Sequence, residues 1–166
     1  LHAHVHLAVL GWIMPMVLGV GARVFHIFWH APAPTGWRVK VQLWGLVGGV
    51  PLTVVGIATS TSVMTVVGAI AVGAAVAGHL ASLLGMTRAG AGPALDGTLG
   101  FVLAGGVALA AATAMGLGFA LDVLGGPRLG LAYAILVLGG WISLTIVGVM
   151  LKIVPFLVWY RVYAPL

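Results

Sequence analysis

The sequence predicts an all-α integral membrane protein, a bundle of about five transmembrane helices with its N-terminus outside and its C-terminus cytoplasmic. Three observations carry that reading. The chain is 62% hydrophobic, with a mean hydropathy of +1.23. Only 5% of its residues are charged, whereas soluble domains carry roughly 25%. Its apolar runs are continuous rather than alternating, which excludes a β-barrel, and five of them reach the about 20 residues that a spanning helix needs.

The elements follow in order. The first helix is expected over residues 5–29, ended by Ala31-Pro32-Ala33-Pro34-Thr35-Gly36, a cluster of helix breakers. Pro15, between Met14 and Met16, should kink it by removing a backbone donor. The second and third helices are expected over 40–59 and 63–86, with Ser60-Thr61-Ser62 as the turn between them. A glycine-rich loop from Thr87 to Ala94 leads to the fourth, over 96–123. Gly125-Gly126-Pro127-Arg128 then separates the fifth, over 130–158, which ends in the interfacial run Trp159-Tyr160-Arg161-Val162-Tyr163. Glycine recurs at small-xxx-small spacing, as at Gly45 and Gly49, which lets helix backbones approach closely in lipid. Residues 1–166 read as one transmembrane domain. A start at Leu1, with neither Met nor the charged leader of a signal peptide, implies either a processed chain or, the favoured expectation, a piece of a longer polypeptide.

Orientation follows from the basic residues. With five helices, Arg38 and Lys40, Arg88, and the tail with Arg161 fall on one side, against Arg128 on the other. The positive-inside rule makes the richer side cytoplasmic. Seven Lys/Arg against two acidic residues are too sparse for nucleic acid. The absence of cysteine excludes disulfides, iron–sulfur clusters, thiolate metal sites and covalent c-type heme. No glycine-rich phosphate loop, catalytic triad or carboxylate pair is present, so soluble enzyme chemistry has no residues to work with.

Histidines are the only ligands in quantity, six in all. His2, His4 and His6 alternate on the lip of the first helix, where ionisable groups at membrane depth are costly and usually functional. At about 100° per residue, His4 and His6 point to nearly opposite faces, so one helix can serve two neighbouring groups. His2 and His6 share a face and suit a single metal ion. His26 and His30 form an i, i+4 pair near the inner end of the same helix, about 33 Å from His4 at 1.5 Å per residue. With His79, late in the third helix, they offer a second, inner metal or heme site; the simpler expectation is interfacial histidines beside Trp29 and Trp37 in an aromatic belt. Asp122 is expected either to accept a hydrogen bond from an outer histidine or to pair with Arg128. Lys152 is expected either to snorkel to the inner interface or to pair with a carboxylate from another chain.

The run His4-Val5-His6-Leu7-Ala8-Val9-Leu10-Gly11-Trp12 resembles the tenth helix of subunit I of heme-copper oxidases, in particular the C-family (cbb-type) oxidases and the nitric oxide reductases. Their pattern is H-x-H followed by Gly five residues later. The resemblance implies that His4 is the proximal ligand of a high-spin b-type heme and that His6 binds a low-spin heme; His2 has no counterpart. It also implies a helix that starts on the outer face and runs inward, in a bacterial inner membrane. Gly148-Val149-Met150-Leu151-Lys152-Ile153-Val154-Pro155-Phe156-Leu157-Val158-Trp159 is similar to the C-terminal helix of bacterial membrane proteins related to that subunit. The two stretches cover about 20 residues. The chain departs from the pattern in having no His-Pro-Glu motif and no adjacent His-His pair, so no complete copper site is expected. Nor does the outer leaflet offer a second axial ligand beyond residues 2–6.

These residues imply a heme-binding membrane subunit with an electron-transfer or redox- or gas-sensing role. It would not be a complete oxidoreductase by itself, and its missing helices would come from other membrane subunits or from an upstream part of the same polypeptide. Two other classes remain open at this point: a protein handling copper or zinc through His2 and His6, and a scaffold subunit whose glycine-rich faces pack against partners.

Overall fold

The computed structural model describes residues 2–90 and 97–163. Among them the chain forms five long helices and no strand: α1 (His2–Phe28), α2 (Trp37–Ala58), α3 (Ser62–Ala89), α4 (Gly97–Ala120) and α5 (Pro127–Tyr163). Each is long and apolar enough to cross a membrane. The expected start of the fourth helix at residue 96 and the loop residues 91–94 lie outside the described residues.

Helix ends shift from the expected positions for local reasons. α1 begins at His2, so all of its first histidines are helical. α3 runs on through Thr87 and Arg88, which break nothing, and stops at Gly90, whose N–H bonds the Met86 carbonyl at 3.0 Å. α5 starts at Pro127, where a fixed φ and a missing N–H suit a first helical turn. Gly126 precedes it at φ +91°, a conformation open mainly to glycine. The expected interfacial tail is part of the same helix, which passes through Pro155 to Tyr163. α5 therefore has 37 residues, about 55 Å of helix, against a hydrocarbon core of about 30 Å.

The kink expected at Pro15 takes another form. Val9–Ile13 of α1 is a π turn, closed by the N–H of Met14 reaching back five residues to the Val9 carbonyl. Proline donates nothing to the carbonyl four residues earlier, and its ring crowds that carbonyl. The wide turn lies immediately before Pro15, and the helix continues beyond it. A second π segment, Leu136–Ile142, interrupts α5.

Packing is set by small residues. α2 and α3 form a close hairpin in which a Cβ on Gly45 would lie 2.6 Å from the Ala71 carbonyl oxygen, and one on Gly49 would lie 2.8 Å from the Ala71 Cβ. Only glycine allows that approach, as the small-xxx-small spacing anticipates. The turn between them carries Ser60 at φ +54° and a hydrogen bond between the Thr59 and Thr61 hydroxyls at 2.8 Å. α4 and α5 pair in the same way, with Gly140 against Ala108 and Gly105 against Thr145. One apolar cluster joins all five helices through Leu18, Leu46, Val76, Leu109 and Trp141. A second, towards the Phe28 end of α1, gathers Phe25, Trp29, Leu83 and Val102.

Candidate functional site

At the histidine end the bundle does not close on itself. All five helices border a cavity of about 820 Å3, inside the range of about 300–1,000 Å3 typical of small-molecule and cofactor sites. Small residues make up much of its wall: Ala69 of α3, Ala112 and Gly116 of α4, Gly130 and Ala134 of α5. Both π segments contribute to the wall, through Val9 and Leu10 on α1 and through Val137, Leu138 and Trp141 on α5. Such wide turns are rare and concentrate at functional sites. The exposed His2 and the α4–α5 turn at Gly125 and Gly126 line the rim.

Few polar groups in this wall are available to a ligand. Thr53, Thr65 and Thr113 each donate their hydroxyl to the carbonyl one turn back, at 2.8, 3.1 and 2.8 Å. Two groups differ. The half-buried His6 has its Nδ1 2.9 Å from the carbonyl of His2. A carbonyl can only accept, so Nδ1 carries the proton and Nε2 keeps the lone pair, which is the arrangement by which proteins orient a ligating imidazole. Tyr133 of α5 stacks on the His6 ring with centroids 6.2 Å apart and meets Phe119 edge-on at 5.9 Å. Its hydroxyl has no hydrogen-bond partner among the described residues. An apolar hollow with one oriented imidazole and one phenol suits a flat, mostly apolar molecule anchored at one end.

The histidines distribute as helical geometry requires. His2 and His6 share the cavity face of α1, while His4 is exposed on another side and does not line the cavity. No three His, Asp or Glu side chains converge as a metal site among the described residues. His26 is half-buried, with Nδ1 3.3 Å from the Ala22 carbonyl. His30 lies past the end of α1 at φ +50°, so it leaves the helical face it would share with His26. His79 is not interfacial: it is 6% exposed, enclosed in the core. The longer α3 explains the difference, since it carries ten further residues beyond His79. Asp122 is exposed at φ +58° in the α4–α5 turn, and no ion pair joins it to Arg128 among the described residues. The Lys152 ammonium lies 6.0 Å from the centre of the Phe28 ring.

Tyr133 and the small-residue wall escaped the sequence reading. A tyrosine inside an apolar span was the available signal, because a buried phenol usually finds a polar partner. Gly130 lines the cavity with open space where a Cβ would point. Gly130→Trp is therefore expected to fill part of the hollow and abolish binding of a cavity ligand without lowering helix content, as read by ligand titration and circular dichroism on the same sample. No protein-family model, no curated protein and no solved structure matches this chain.

Proposed function

We propose that this chain is a heme-binding subunit of a bacterial inner-membrane redox assembly, related to subunit I of heme-copper oxidases, with its histidine end on the outer face. The observation that supports it most is the large apolar cavity with His6 in its wall and the Nε2 lone pair of His6 left for a metal. The cavity's size, apolar lining and single oriented imidazole fit a b-type heme.

His6 would hold the iron, the His2 carbonyl would fix the imidazole tautomer, and Tyr133 would pack beside the imidazole. A bound heme would supply one-electron redox chemistry. The chain's own contribution is to exclude water and to set the potential through low polarity and the basicity of the His6 imidazole. His4, exposed on another side of α1, would ligate only a group held by further helices, which is why the reading includes a partner subunit or an upstream segment. Copper or zinc at His2 and His6 is less well supported, because a closed site needs three or four protein ligands and no third His, Asp or Glu joins them among the described residues.

The deciding experiment is an alkaline pyridine spectrum of protein purified, without a histidine tag, from heme-replete cells. Stoichiometric b-type heme is the expected result. Absence of any Soret absorption overturns the proposal, and zinc or copper retained in its place would transfer it to the metal-handling alternative.

A further inference from the structure

The bundle core holds one buried ionisable side chain among the described residues. His79 of α3 is 6% exposed, and Thr145 of α5 is 7% exposed. Two of the other buried hydroxyls bond backbone within their own helix: Thr53 the Gly49 carbonyl and Ser82 the Gly78 carbonyl, each at 2.8 Å. His79 and Thr145 have no hydrogen-bond partner among the described residues. Both line one small void, whose other walls include Val17, Phe25, Leu83 and Trp141, and no charged side chain joins them.

The size of the void matters. About 10 Å3 is open to the centre of a water molecule, which is the room one water occupies and no more. Voids of that size stay dry when their lining is purely apolar, and fill when polar groups can hold the water. A neutral imidazole offers one donor and one acceptor, and a hydroxyl offers the same. Left unpaired in lipid-embedded protein, both would be costly; bridged by one water, both are satisfied.

We infer that this void is a binding site for a single water molecule, held between the His79 imidazole and the Thr145 hydroxyl. Its position ties it to the large cavity. Leu109 and Trp141 line both this void and the large cavity, so the water stands one side chain behind the cavity floor. The inference stands apart from the heme proposal, since it uses neither a cofactor nor the outer histidines.

The test is solid-state NMR on the full chain in lipid vesicles, with ring-15N histidine and His79 assigned by its loss in His79→Phe. A water-to-imidazole cross-peak is expected at His79. It should lose most of its intensity in the near-isosteric Thr145→Val and persist in Thr145→Ser. The other histidine signals report whether each variant keeps its fold. A wild-type spectrum with no water cross-peak at His79 overturns the inference, and so does a cross-peak that Thr145→Val leaves intact in a folded sample.

Discussion

His6→Ala is expected to lower heme retention by more than about 100-fold, because even the loss of a group that merely orients a metal ligand typically costs 10–100-fold. The matched variants make this result specific. His4→Ala should leave the cavity heme in place, since His4 is exposed outside the cavity wall. His2→Ala should also leave it, because the group that fixes the His6 tautomer is the His2 backbone carbonyl, which the substitution keeps. Heme-to-protein ratios after size-exclusion chromatography read all three, with circular dichroism confirming the helices. Loss with His2→Ala and no heme at all would instead fit copper or zinc at the shared face of His2 and His6. No heme or metal in any variant, with assembly intact in all of them, would leave the scaffold reading.

The second large effect lies in the α2–α3 hairpin. Gly45→Leu or Gly49→Leu would force a side chain against Ala71, where the space for a first carbon is already below van der Waals contact. Overpacking of this kind costs about 1–3 kcal/mol per site. Because backbone lies behind the clash and cannot give locally, each variant is expected near or above the upper end. The double variant should separate the hairpin altogether. Thermal unfolding in detergent checks this, and Gly48→Leu is the control: nothing lies within 4 Å of its Cβ position, so it should unfold near the wild-type temperature.

That comparison also shows where the sequence stops being legible. The five spans could be read because a bilayer demands long continuous apolar runs, and the opposed directions of His4 and His6 because a helix turns by a fixed angle. Gly45, Gly49, Gly116 and Gly130 look alike in the sequence. In the fold, the first pair brings two backbones together, whereas Gly116 faces the Tyr133 ring and Gly130 leaves open space. Which outcome a small residue produces depends on what faces it across the bundle, and periodicity carries no record of that. Counting along α3 puts His79 near the interface, and only the neighbours on α1, α4 and α5 reveal that it is enclosed. Pro15 announced a disturbance in α1, but proline chemistry alone does not choose between a bend and a wide turn.

The π turn of α1 has a consequence for the histidines themselves. It holds one more residue than an α turn, so it sets the angular phase of His2–Ala8 relative to Met14–Phe28. Relaxing that turn to ordinary α-helix would swing the N-terminal segment by about 100° around its axis. His6 would leave the cavity wall, and a neighbouring residue would take its place. Deleting one residue within Val9–Ile13 would instead restore the α-helix and keep the phase. Whether an imidazole or an apolar side chain addresses the cavity therefore depends on one hydrogen-bond step, between the Met14 N–H and the carbonyls of Val9 and Leu10.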